Sequence, residues 1–239
     1  MEHLLLLHGA LGLPDDFSEL EKSLSTRFRV HKLLFAGHGN TPIPAKGLNM
    51  ELYMDQIAAY IAGYPTEFFH VFGYSMGGYA ALACAAQYPG RIRSVLTFAT
   101  KLQWSPEAAA KETAFLQPDI IATKVPRYAA QLAERHGATH WKHLLSGISG
   151  LMERLGTQPL LTEKVLGEID IPVQIMVGDR DNMVSMDESR EATAFLKSGR
   201  FAVLPGTAHP FEKVRSSLLL SLMHDFWAEH QAGSSSTPA

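Results

Sequence analysis

Phe68-Phe69-His70-Val71-Phe72-Gly73-Tyr74-Ser75-Met76-Gly77-Gly78 joins a short apolar run to an alanine-rich, helix-favouring one from Tyr79 to Tyr88. A G-x-S-x-G motif between a strand and a helix is a nucleophile elbow: the serine sits on a strained turn with its hydroxyl exposed. Small flanking residues let the backbone crowd that closely, and Gly73, Gly77 and Gly78 provide the room. The plain alternative is a Gly-Ser turn without chemistry, and it has to be weighed against what lies downstream.

A serine hydroxyl is a weak nucleophile that needs a base to take its proton and a carboxylate to orient that base. Two strand-like segments after Ser75 each end in a candidate. Ile171-Pro172-Val173-Gln174-Ile175-Met176-Val177 runs into Gly178-Asp179-Arg180-Asp181. An acid there lies at the carboxyl edge of a parallel sheet, where open α/β sheets bind ligands. Asp179 and Asp181 both qualify. Arg200-Phe201-Ala202-Val203-Leu204 runs into Pro205-Gly206-Thr207-Ala208-His209-Pro210. With eleven histidines in the chain, a stray loop histidine is common. His209, however, follows a strand and precedes a helix that Pro210 is suited to open. At the other end, Leu4-Leu5-Leu6-Leu7 reads as a buried strand and leads into His8-Gly9-Ala10.

Together these segments resemble the α/β-hydrolase superfamily of esterases, lactonases, thioesterases and carbon–carbon bond hydrolases. The matching residues are His8-Gly9, Gly37-His38-Gly39, Gly73 to Gly78, Gly178 to Asp181 and Pro205 to His209, spanning nearly the whole chain. They are specific for fold and catalytic set, not for substrate. The resemblance implies Ser75 as nucleophile, His209 as base and Asp181 as its orienting acid, in the order usual on this fold. The family pattern G-x-x-D selects Asp181 and leaves Asp179 as a turn residue bonding nearby backbone. It also implies an oxyanion hole of two amides, Met76 and Ala10, the latter because Gly9 lets the chain turn inward. Leu11 is the adjoining alternative donor, and His8 reads as structural. Leu11, Tyr74, Trp104 and Met183 are candidate substrate contacts, and no cofactor is implied. One departure is Leu34, where relatives often carry an aspartate three residues before the G-H-G. Another is the absence of two initial strands.

Composition bounds the rest. The chain has 239 residues, 46% of them apolar, and a net charge of −3 without a basic run, so no nucleic-acid surface is expected. No apolar run approaches the roughly 20 residues of a membrane span, and the first strand starts at once, so no membrane or secretory segment is expected. The single cysteine, Cys84, can form no internal disulfide and fits a cytoplasmic protein.

Strand-like runs near 3–8, 28–35, 68–73, 93–100, 171–177 and 200–204 alternate with helical patterns. They predict an α/β fold with about six mostly parallel strands and helices on both faces. Helices are expected from Pro14 to Thr26, after Asn49 as far as Gly63, from a capping box at Ser185 to about Lys197, and from Pro210 to His230. Residues 231–239 read as a loose tail. The stretch 105–168 is too long for one crossover, with helical signals at Ala108–Ala110, Arg127–Ala133 and His143–Leu155. It reads as a helical cap inserted into a core of residues 1–104 and 169–230. The expected pocket is apolar, with Trp104 near its mouth and Trp141, Phe115 and methionines as further candidates. His136, His140 and His143 lack the companions of a metal site. Arg127, Arg135 and Arg154 read as solvated unless a substrate carboxylate calls on them. The expected function is hydrolysis of a small ester, thioester or lactone. The alternatives are a carbon–carbon hydrolase or lyase acting on an anion, and a slow-turnover receptor on the same scaffold. The expected partner is a small-molecule acyl substrate.

Overall fold

Runs of β-branched and leucine side chains that bury both faces form parallel strands, and here six of them form one sheet. In the computed structural model, which describes residues 1–88 and 90–234 (side chains through 230), the strands are β1 (Glu2–Leu7), β2 (Phe28–Leu33), β3 (Phe69–Tyr74), β4 (Ile92–Phe98), β5 (Val173–Gly178) and β6 (Gly199–Leu204). Their order is β2-β1-β3-β4-β5-β6, and every pairing is parallel. Helices intervene: α1 (Ser18–Leu24), α2 (Met50–Ala62), α3 (Met76–Gln87), α4 (Pro106–Thr113), α5 (Pro118–Lys124), α6 (Pro126–His136), α7 (His140–Thr157), α8 (Glu163–Glu168), α9 (Met186–Phe195) and α10 (Ser216–Ser234).

Side chains alternate across a strand, so β1 feeds two cores. Leu5 and Leu7 join Tyr53 and Ile57 of α2 and Ala80 and Ala81 of α3 on one face. Leu4 and Leu6 join Leu20 and Leu24 of α1 and Leu219, Phe226 and Trp227 on the other. The chain runs outward from β1 to β2, then returns to place β3 on β1's other side. The loops after β1 and β3 therefore leave the sheet side by side at its topological switch point, the ligand-binding crevice of open α/β sheets.

Local signals start several helices. Asn49 Oδ1 accepts from the Leu52 amide at 2.7 Å, and Ser185 and Glu188 form a reciprocal capping box. The stretch between β4 and β5 forms five helices, of which the sequence signalled three. α5 and α8 are additional, and α7 begins at His140 rather than His143. α7 lays Leu144, Ile148, Leu151 and Leu155 onto the main core, while Trp141 and Leu145 close a small cluster with Ile121 and Leu132. The last helix also differs from expectation. Pro210 precedes only a short 3₁₀ turn at Phe211–Lys213, and α10 starts at Ser216. α10 then continues into the expected tail as far as Ser234, and 235–239 lie outside the described residues. No helix among the described residues is long and apolar enough to cross a membrane.

Two glycine substitutions test this packing in opposite directions. A Cβ on Gly77 would stand 2.3 Å from the Leu7 carbonyl oxygen, against backbone that cannot step aside. Gly77→Ala is expected to destabilise the protein by about 2 kcal/mol or more in denaturant titrations. At Gly150, inside α7, a Cβ meets nothing within 4 Å. Gly150→Ala should stabilise by up to about 1 kcal/mol, because alanine is the better helix former. Equal effects would mean that α3 does not press on β1 as described.

Candidate active site

Ser75 sits at the turn between β3 and α3 with φ +50° and ψ −117°, a strained conformation for a residue with a side chain. Bonds on both sides hold it there. Its amide donates to the Phe98 carbonyl at 2.8 Å, and its carbonyl accepts from Thr100 Oγ1 at 3.1 Å and the Gly78 amide at 3.0 Å. A Cβ on Gly73 would lie 2.4 Å from the Gly78 nitrogen, so the turn closes only over glycine.

The ends of β5 and β6 supply the acid and the imidazole. Asp179 Oδ1 accepts from the Thr207 amide at 3.2 Å, and the Arg180 amide donates to the Thr207 carbonyl at 3.0 Å, tying the two loops together. Asp181 then meets His209, with Oδ2 2.8 Å from Nδ1. Its other oxygen accepts from the Met183 and Val184 amides at 2.8 and 2.9 Å. Burial opposes the charge on Asp181, but the bond and charge of His209 and the two amides outweigh it and hold the carboxyl below its usual value. On the far side of the ring, Nε2 lies 3.4 Å from Ser75 Oγ, the long contact common in unliganded sites. The two aspartates thus separate. Asp181 is buried against His209, whereas Asp179 is exposed and ties β5's turn to the loop after β6.

A narrow, largely apolar cavity opens over Ser75, Met76, His209 and Ala10. Trp104, Ile148, Leu151, Met152, Leu155 and Met183 line its walls, joined by Lys101 and Glu112. Leu11 and Tyr74, both expected as substrate contacts, do not line it. The Leu11 side chain packs against the helical clusters instead, and the Tyr74 hydroxyl donates to the His209 carbonyl at 3.0 Å beneath the site. Phe115 is 73% exposed and Trp141 is enclosed among helices, so neither reaches the cavity. Nor does an arginine line it: Arg135 pairs with Asp16 at 2.7 Å, Arg154 donates to the Leu48 carbonyl, and Arg127 is exposed. Lys101 and Glu112 were not anticipated. Glu112 lies on α4 three residues after the buried Ala109, but a glutamate at that spacing gives no sign of a cavity in the sequence.

A family model described as "Alpha/beta hydrolase family" matches residues 4–217. The chain belongs to the alpha/beta hydrolase family, and it is a hydrolase. It is similar to the pimeloyl-[acyl-carrier protein] methyl ester esterase of Neisseria meningitidis serogroup C, at 25% identity over 95% of this chain and 93% of that one. It is also similar to the 2-(acetamidomethylene)succinate hydrolase of Mesorhizobium japonicum, at 24% identity over 93% of this chain and 87% of that one. Among solved structures, NosK from Streptomyces actuosus superposes with a TM-score of 0.82 at 22% identity, covering 95% and 98% of the two chains, which shows a shared fold.

In this hydrolase the loop after β1 is held by neutral histidines. His8 Nε2 accepts from the Phe35 amide at 3.1 Å while Nδ1 donates to the Gly9 carbonyl at 2.8 Å. His38 Nε2 accepts from the Leu11 amide at 3.2 Å, with Leu11 at φ +60°. His136 Nδ1 accepts from the Gly39 amide at 3.0 Å while Nε2 donates to the Leu11 carbonyl at 3.0 Å. His140 donates to the Gly37 carbonyl at 2.8 Å, and His143 is exposed. Three of the rings accept from a backbone amide, which only a neutral imidazole can do. Leu11's amide is thereby occupied, whereas among the described residues the amides of Ala10 and Met76 have no hydrogen-bond partner.

Burial lowers the pKa of His8 from 6.5 to about 4 and also depresses His38 and His136. The unfolded chain therefore takes up protons that the folded one refuses. Stability should be full above pH 6.5 and fall as the pH drops toward 4, with His31 acting in the same direction. Thermal unfolding across that window checks this, and a flat profile would mean that the rings are not buried neutral.

Proposed function

We propose that this hydrolase cleaves a small ester, thioester or lactone through an acyl-enzyme on Ser75. His209 Nε2 takes the hydroxyl proton as Ser75 Oγ attacks the carbonyl, then returns it to the leaving group. Asp181 fixes the imidazole tautomer and supports the imidazolium. The unoccupied amides of Ala10 and Met76 receive the oxyanion, aided by the positive end of α3. Water, deprotonated by His209, releases the acyl group. The observation that carries this reading is the line Ser75–His209–Asp181, with distances of 3.4 and 2.8 Å, set on a strained turn beside two free amides.

The Neisseria relative is named for a methyl ester, the Mesorhizobium relative for a succinate. The cavity favours an uncharged substrate over a dicarboxylate. No arginine lines it, and Lys101 is already engaged by the Met183 carbonyl at 3.3 Å and by Glu188 at 3.6 Å. We read the helices of 105–168 as a cap that excludes water from the acyl-enzyme. A lone, buried Cys84 fits work in the cytoplasm on a small-molecule acyl substrate.

Three variants test the assignment. A fluorophosphonate should add once, to Ser75, and Ser75→Ala should abolish labelling and lower ester turnover by about 10⁴-fold or more. Asp181→Asn should lower turnover by about 10⁴-fold with the fold intact, because it favours the wrong tautomer. Asp179→Asn should act mainly on thermal stability. Reversed effects of the two aspartates, or labelling elsewhere, would overturn the assignment. Rapid labelling without turnover of any ester would favour the receptor reading.

A further inference from the structure

Two buried glutamates lie near Lys101, and they differ in how their carboxylates are bonded. Glu188 is satisfied on both oxygens. Oε1 accepts from the Leu102 and Gln103 amides at 3.1 and 3.4 Å, and Oε2 accepts from the Ser185 amide at 3.1 Å and faces Lys101 Nζ at 3.6 Å. Glu112, on α4, is 4% exposed, and its buried Oε1 has no hydrogen-bond partner. Its side chain lines the cavity that holds Ser75 and His209. Trp104 lines the same cavity, and its buried indole N–H is also unbonded. Folded proteins rarely leave such atoms unmatched, because a buried polar group without a partner is costly. Of the eight such atoms among the described residues, these two belong to residues that line one largely apolar cavity, the one that holds Ser75, and they point to something the cavity receives.

We propose that Glu112 and the Trp104 indole form a polar subsite that takes a hydroxyl group carried by the substrate, apart from the carbonyl that Ser75 attacks. This rests on the reading of the site as an ester hydrolase. A hydroxyl both donates, to Glu112 Oε1, and accepts, from the indole N–H. An ammonium group has nothing with which to accept from the indole, and a carboxylate has no proton to donate to an ionised Glu112 and would meet its charge, so it could be held only by the protonated acid. Lys101 does not supply a free cation, because Glu188 and the Met183 carbonyl hold it. Burial raises the Glu112 pKa, opposed by Lys101, Lys111 and His209. A hydroxyl suits either state, donating to the carboxylate or accepting from the acid. Ile148, Leu151 and Leu155 offer nothing polar, so a hydroxyl satisfied at Glu112 would be penalised against that wall of the cavity.

The test is a selectivity ratio on methyl esters of straight-chain acids of increasing length, each with a terminal hydroxyl, methyl or ammonium group. A second series places the same groups on the alcohol part. In the wild type, kcat/KM for the best hydroxyl ester should exceed that of its methyl-terminated match by about 10-fold or more. Glu112→Leu should bring that ratio to about one, and Glu112→Gln, which keeps the shape and a hydrogen bond, should retain part of it. A ratio near one in the wild type, an unchanged ratio in Glu112→Leu, or a preference for the ammonium ester would each overturn the proposal while leaving Ser75 as nucleophile. Failure of every ester, together with failure of a fluorophosphonate to label Ser75, would overturn the ester-hydrolase reading and this proposal with it.

Discussion

The close approach of the β3–α3 turn to the end of β1 is the constraint on which the rest of the site depends. Gly77 presses so near the Leu7 and His8 carbonyls that a methyl group there would overlap them. That contact puts the first turn of α3 beside the loop after β1, and it needs β1 and β3 as neighbours in parallel register, Leu7 opposite Gly73. The positive φ of Ser75 follows from the same crowding, since the chain must reverse from strand to helix within one residue. Strain of about 1–3 kcal/mol is typical of such a conformation, and it persists only where the surroundings over-determine it. Here the bonds to Phe98 and Thr100 on β4's side and the packing against β1 do so. The proposed oxyanion amides, one from each loop, are neighbours for this reason.

Around that contact, charge is distributed unevenly. The loops that shape the site from the β1 side are held by His8, His38 and His136, kept neutral through burial, each bonding a backbone amide through one ring nitrogen and a backbone carbonyl through the other. The acid on the β5 side is kept ionised instead, by two amides and an imidazole. Glu188 shows a third arrangement. It caps α9 and also receives the amides after β4, joining the cavity wall to the sheet. In this company the unbonded Oε1 of Glu112 stands out, with the Trp104 indole N–H, as a polar atom of the cavity lining that the fold itself does not use.

Much of this was legible in the sequence because it is carried by local signals. Each strand is a short apolar run, and the elbow's glycines, the capping box at Ser185 and the Asn49 cap act within a few residues. Ser75, Asp181 and His209 were recoverable because each follows a strand of one parallel sheet, so its place along the chain fixes its edge in space. What failed to show depends on contacts distant in sequence. Leu11 and Tyr74 adjoin Ala10 and Ser75 along the chain, yet one packs into helices and the other bonds beneath His209, 135 residues away. The histidine bonds from α6 and α7 to the Gly37 and Leu11 carbonyls leave no periodicity to read. Glu112 looks like an ordinary solvated helix residue until α7 packs against α4. The start of α10 at Ser216 was missed because Pro210 opens a 3₁₀ turn as readily as an α-helix.

The central claim is geometric: the crowded turn sets Ser75 between His209 and two unoccupied amides. A crystal structure of the Ser75 phosphonate adduct tests it most directly, because the phosphonyl oxygen stands where the oxyanion of an acyl transfer would lie. The account predicts that oxygen about 2.7–3.1 Å from the amide nitrogens of Ala10 and Met76, with the Leu11 amide still bonded to His38. An oxygen bonded instead to Leu11, with the His38 contact broken, or one turned into solvent, would contradict it.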